Sequence, residues 1–248
     1  MKVFFHEDFY QVYTTDPAAA AGRMEAIVGE IENEVHFVTA VPASDTDISA
    51  VHTTSHISRV QRSGLYPIAA LAAGGAVQAA SAGHKAPAFA LIRPPGHHAS
   101  ADSAWGFCYF NNMAIAVESL KRKEAIRTAY VLDIDLHFGD GTANIMDGKE
   151  YVTVHNVQAH DRVTYLNEVS EGMAACSADI IGISAGFDNH REDWGGVLLT
   201  EDYAEIGRMV RSAARRCGGG CFAVLEGGYN HSVLGGNVRA LIRGLSDL

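Results

Sequence analysis

The chain has 248 residues, 48% of them hydrophobic, with a formal charge of −10 at pH 7. That is enough apolar material for one large α/β core, and no Pro/Ser-rich linker, low-complexity run or internal repeat divides it, so a single domain over residues 1–248 is expected. The acidity argues against a nucleic-acid partner, which needs clustered Lys and Arg to neutralise phosphates; it would tolerate or mildly attract a cationic substrate, and it equally serves simply to keep a cytoplasmic protein soluble.

In chain order, KVFF (2–5) reads as a first strand. The N-terminal stretch MKVFFHEDFYQVY carries acids and His where a secretion signal needs an apolar core, so a cytoplasmic protein is expected. A helical period near 18–33 precedes a second strand, VHFVTAV (35–41). The helix expected over 66–82 is rich in Ala and Gly, opens on Pro67 and contains Gln78 and Ser81, which argues against a membrane span. Then follow a strand at 86–92, a helix at 111–123, strands at 129–136 and 151–155, a helix at 165–176 and a strand at 178–184. A helix over 200–216 begins at Thr200 with Glu201 and Asp202 and stops at the glycines after Cys217; a strand at 220–226 and a helix at 232–245 complete the order. Alternating strands and helices predict a three-layer α/β domain, with a mostly parallel central sheet and helices on both faces. Four cysteines in a chain of this size make no disulfide framework and are expected as free thiols.

Ligands of such sheets bind beyond the carboxyl ends of the strands. RPPGHH follows the strand at 86–92, DIDLHFGD closes the strand at 129–136, AGFDNH follows 178–184 and GGYN follows 220–226, so four polar motifs fall at one edge. On an extended segment Asp135 and His137 point to the same face and can meet one ion, to which Asp188 could add a third ligand. Two Asp and one His suit Zn²⁺ or Fe²⁺ with a position left open; Asp135 and His137 alone could equally be a hydrogen-bonded polar pair. His97 and His98 sit on a backbone stiffened by Pro94 and Pro95. The spare acids Asp133 and Asp140 could stand behind them, one Asp fixing the tautomer of each imidazole, as proton transfer requires. Gly227 and Gly228 let the backbone approach an ion, and the Tyr229 phenol could donate to a carbonyl oxygen as it gains charge; a lone GGY is otherwise an ordinary turn. Cys108 lies in an apolar setting that makes a thiol inert.

RPPGHHA (93–99), GFCYFNNMAIA (106–116), DIDLHFGDGT (133–142), SAGFD (184–188) and LEGGYN (225–230) together resemble the histone deacetylase and acetylpolyamine amidohydrolase superfamily, in its class II and bacterial branch. AVHTTSHISRV (50–60) is a weaker match. The resemblance implies the arginase/deacetylase fold and hydrolysis of an N-acetyl amide by water that zinc activates, on a small acetylated amine or acetyl-lysine. It implies Asp135, His137 and Asp188 as zinc ligands. His98, backed by Asp140, would be the general base, and His97, backed by Asp133, its electrostatic partner. Tyr229 would polarise the carbonyl, while Gly106 and Phe107 form one channel wall. It also implies potassium near Asp133, Asp135 and His137, with Thr153 or Val154.

The chain departs from that family in its loops. Between the strands at 151–155 and 178–184 the family runs through a long Pro/Gly-rich loop bearing the second channel wall, but here residues 156–177 hold no proline and one glycine. Tyr165 is the only aromatic there, and Asp45 and Asp47 are weak candidates for an acid that grips a peptide backbone. An opened site of this kind suits small or flexible amines, or is completed by a second subunit in a homo-oligomer. Two readings compete with the deacetylase: a dinuclear arginase-like ureohydrolase, disfavoured because His190 stands where a further Asp is needed, and a non-catalytic metal-bound binding homologue.

Overall fold

The computed structural model describes residues 1–246, so the last two residues of the domain expected over 1–248 lie outside the described residues. Its strands are β1 (Lys2–Phe5), β2 (His36–Thr39), β3 (Ala88–Ala90), β4 (Ala129–Asp133), β5 (Val152–Asn156), β6 (Ile180–Ala185) and β7 (Gly220–Leu225). They form one seven-stranded sheet in the order β2-β1-β3-β7-β6-β4-β5, with every pairing parallel. The helices are α1 (Arg23–Ile31), α2 (Asp45–Ser49), α3 (Thr54–Arg62), α4 (Tyr66–Gly83), α5 (Asn112–Arg122), α6 (Asp140–Met146), α7 (Arg162–Ala175), α8 (Thr200–Cys217) and α9 (His231–Ser246).

Helices cover both faces, with α4 and α5 packed together as one group and α1, α8 and α9 as another. The four middle strands are therefore buried along their whole length, which explains why AFA, YVL, IIGI and FAVL read as continuous apolar runs rather than alternating ones. The edge strands β2 and β5 are partly exposed. The Ala-rich α4 lies in the core, buried from Ala69 to Ala76, and among the described residues no helix is long and apolar enough to cross a membrane. Asp202 caps α8 by accepting the Leu199 N–H at 2.8 Å, and its carboxylate also takes a two-pronged ion pair from Arg162. Gly218 ends the same helix in the left-handed conformation, φ +66°.

Late in the chain, β6 and β7 insert between β3 and β4. The carboxyl ends of β3, β7, β6 and β4 thus stand side by side, and the segments that leave them carry the four polar motifs. Parallel topology, not proximity in sequence, is what gathers them.

Candidate active site

The acidic segment after β4 is built from successive turns. Asp133 Oδ1 accepts the Asp135 N–H at 3.1 Å, and Asp135 Oδ1 accepts the His137 N–H at 2.9 Å. The strand expected over 129–136 consequently stops at Asp133: short acid side chains bond the backbone two residues on and displace the ladder. Asp135 and His137 still meet, but through these turns rather than through strand alternation. Asp188, after β6, accepts the Leu136 N–H on Oδ1 at 3.1 Å, which draws its carboxylate to the same place.

His137 Nδ1 lies 3.2 Å from Asp135 Oδ1 and 3.1 Å from Asp188 Oδ2. The three side chains place ligand atoms within 4.8 Å of one another. Asp188 Oδ2 is buried without a hydrogen bond, since His137 Nδ1, though near, is not in line for one. Asp135 Oδ2 accepts the Gly227 N–H at 2.9 Å, and a Cβ on Gly227 would fall 2.6 Å from that oxygen and 2.8 Å from Asp188 Oδ2. An uncapped buried carboxylate oxygen, a borderline-hard donor set and a glycine that keeps the space clear fit a divalent transition metal.

The two adjacent histidines are each backed by an acid. His97 Nδ1 is 3.1 Å from Asp133 Oδ2, and His98 Nδ1 is 2.7 Å from Asp140 Oδ1. Burial disfavours charge on His97, but Asp135 and Asp133 outweigh it and raise its pKa well above the ordinary value. His98 is pushed down to about 4, first by burial and then by the neighbouring His97. Burial and then the Asp135 and Asp188 charges push the Tyr229 phenol far up, so it keeps its proton. Burial likewise raises the Cys108 thiol, in line with an inert thiol.

These groups surround a pocket of about 110 Å³ that His97, His98, His137, Gly106, Phe107 and Tyr229 help to line. Gly106, at φ +62°, brings the chain so close to His98 that a Cβ there would lie 3.1 Å from its ring. A larger surface cavity, about 530 Å³, opens between β1, β2 and α1 and touches none of these residues, so its size carries no chemical meaning here.

Four further residues hold the site together. Glu226 is fully buried, and its Oε2 accepts the N–H groups of Gly96 and His97, which fixes the turn that presents the histidines. Arg23, also fully buried, donates to the Gly228 and Glu226 carbonyls and so holds the turn bearing Tyr229. Trp105 donates its indole N–H to Asp140 Oδ2 at 2.8 Å, and Trp194 stacks on Tyr229 at 4.0 Å. Glu226 lies inside the LEGGYN match, which carried no expectation for the acid itself, and no motif marks the other three, although the only two tryptophans near HH and FD were an available signal.

Other expectations need correcting. Thr153 is exposed and pairs with Tyr130, three residues before Asp133; Asn156 is the residue opposite Asp133, so Thr153 does not join the acidic group. Tyr165 is fully buried with its hydroxyl on the Ile134 carbonyl, and it forms no wall. Asp45 accepts from Tyr66, while Asp47 accepts the hydroxyl of Ser44, the cap of α2, and faces Arg122; neither lines the pocket.

A three-layer α/β fold with a carboxylate-histidine cluster beyond its strand ends defines a metal-site hydrolase of the deacetylase kind. The histone deacetylase domain model matches residues 18–166 and 154–245, and the chain belongs to that family. The chain is similar to a probable deacetylase of Methanothermobacter thermautotrophicus, 29% identical over 302 aligned positions that take in 98% of this chain and 90% of the relative. It is also similar to the acetylpolyamine amidohydrolase of Mycoplana ramosa, 30% identical over 204 positions, 67% of this chain and 58% of the relative. The crystal structure of the HDA15 HD domain shares the fold, with a TM-score of 0.84 over 98% of this chain and 88% of that chain at 23% identity. The 302 aligned positions against a chain of 248 mean that the archaeal relative carries segments this chain lacks. The two parts of the family match overlap at 154–166, across the end of β5 and the start of the shortened segment.

Proposed function

We propose that the chain is a zinc-dependent amidohydrolase that removes the acetyl group from acetylated amines of the acetyl-lysine or acetylpolyamine type, preferring small or flexible amines. The observation that carries this is the meeting of Asp135, His137 and Asp188 beside two acid-backed histidines and a tyrosine in one pocket. In this reading Asp135, His137 and Asp188 hold the metal, which when bound supplies Lewis acidity to polarise the acetyl carbonyl and acidify water.

The chain's own groups then divide the remaining work. His98 is neutral at pH 7, and with Nδ1 committed to Asp140 its Nε2 takes a proton from the attacking water. Tyr229 donates its phenol proton in a hydrogen bond to the carbonyl oxygen as that oxygen becomes negative. His97, held charged against Asp133 and Asp135, steadies the same negative charge. The proton on His98 Nε2 passes to the leaving nitrogen as the C–N bond breaks, releasing acetate and the amine. Gly106 and Phe107 flank the acyl-amine stem, and Gly227 and Gly228 bring the backbone to its head. All four cysteines are free thiols, which fits a reducing cytoplasm.

The dinuclear alternative needs a further ligand at residue 190, yet both ring nitrogens of His190 are engaged, Nδ1 by the Glu192 N–H at 3.2 Å and Nε2 by Thr200 Oγ1 at 3.3 Å. The test is turnover by zinc-reconstituted protein across acetylpolyamines, small acetamides and acetyl-lysine peptides, with His98→Ala as control. Turnover abolished by His98→Ala supports the reading, and no turnover on the whole panel favours a binding protein. Faster turnover of a peptide than of every acetylpolyamine would sink the preference for small amines.

A further inference from the structure

Six aromatic rings close a collar around the pocket. Phe107 meets Tyr229 edge-on at 5.7 Å between centroids, Tyr229 stacks on Trp194 at 4.0 Å, and Trp194 meets His137 edge-on at 6.1 Å. His137 meets His98 at 5.9 Å, and His98 lies against Trp105 at 3.8 Å; Gly106 joins Trp105 back to Phe107. Trp194 and Trp105 are three places apart in either direction, and both line the pocket. They are the chain's only tryptophans, and each is about half exposed, 53% and 54%, in a position where burial would otherwise be favoured.

Trp194 does not sit there loosely. Asp193 accepts the Trp194 N–H on Oδ1 at 2.9 Å and the N–H groups of Tyr229 and Asn230 on Oδ2, each at 2.8 Å. Asn230 in turn donates to the Glu192 carbonyl at 2.6 Å. One carboxylate therefore staples the loop after β6 to the turn after β7, and sets the indole against the Tyr229 ring. The shortened segment after β5 offers no aromatic to the pocket, because Tyr165 is turned into the core.

We propose that Trp194 is the specificity-determining wall for the methylene stem of the substrate, supplied by the loop after β6 in place of the missing loop after β5. Its face gives dispersion contact to a stem of several carbons, and an ammonium group further along such a stem gains attraction from the same ring. This rests on the amidohydrolase reading for what the stem belongs to.

Two ligands with the same metal-binding head separate the wall from general damage: acetohydroxamic acid has no stem, and hexanohydroxamic acid carries a five-carbon tail. Calorimetry on zinc-loaded protein should show Trp194→Ala weakening the tailed ligand at least about tenfold and the short one less than about threefold, with Trp194→Phe near wild type for both. In Trp105→Phe, which leaves Trp194 as the only indole, the tailed ligand should change the tryptophan emission saturably. Equal weakening of both ligands, an unchanged emission, or failure of the tailed ligand to bind wild type overturns the proposal. If no acetylated amine is turned over, the amidohydrolase reading falls, while the difference between the two ligands still decides the wall.

Discussion

Acid should loosen the pocket through a histidine that touches no substrate. His52 is 3% exposed, and its Nε2 accepts the Asn111 N–H at 2.9 Å, which leaves the ring proton on Nδ1 to be donated to the Ser100 carbonyl at 3.0 Å. A second proton would set two donors against each other. Burial and then the adjacent His56 ring lower the pKa of His52 from 6.5 to about 4. Between those values the unfolded chain binds a proton that the folded one refuses, so the stabilisation is complete above pH 6.5 and is lost as pH falls towards 4. At roughly 1.4 kcal/mol per pH unit the interval amounts to about 3 kcal/mol. Asn111 also caps α5 and holds the Ala99 carbonyl, so the strain falls on the span that carries Trp105, Gly106 and Phe107. Urea unfolding of wild type and His52→Asn, with chelator present and pH stepped from 8 to 4.5, should show the gap between them shrinking by most of that amount below pH 6.5. A gap that stays constant with pH refutes the reasoning.

Tyr229→Phe should lower kcat by about 10²- to 10³-fold with little change in KM, since the phenol contributes as charge develops; steady-state kinetics on the best acetylated amine checks this. Asp193→Ala strips three backbone N–H groups of their acceptor and should cost about 1–3 kcal/mol in thermal or urea unfolding, together with a loss of kcat through the freed Tyr229 turn.

The seven strands were legible because the middle ones are buried on both faces and therefore uninterrupted by polar residues. Helices α2, α3 and α6 were not, because SDTDIS, TTSHISR and DGTANIM are short and polar or broken by glycine, and owe their form to caps such as Ser44 and Thr53. At the site, the acid-histidine pairs could be anticipated from spare charges that must find partners when buried. Trp194 could not. Its position depends on Asp193 reaching a turn that lies 36 residues further along the chain, and no periodicity encodes that contact. The same limit hid Arg23, whose hydrogen-bonding partner Gly228 is 205 residues away.

The buried acids also fix how the site should respond to pH. Asp133, Asp135, Asp188 and Glu226 are all at most 4% exposed, and four carboxylates cannot remain charged together without cations. Wherever no metal sits among them, protons must serve. The carboxylates of Asp135 and Asp188 beside it push His137 up to about 10, burial and the Asp135 charge raise Asp188 to about 6, and burial raises Glu226 to about 7. A metal held by His137 needs the neutral imidazole, so binding must expel that proton, and Asp188 adds another at acid pH. Zinc affinity should therefore rise with pH, about tenfold per unit for each proton released, steeply between pH 5 and 6 and still by about one proton between 7 and 8. Competition of the protein with a chelator of known pH dependence reads this directly. An affinity flat across that range would mean that His137 enters the site already neutral, and the charge balance argued for these acids would be wrong.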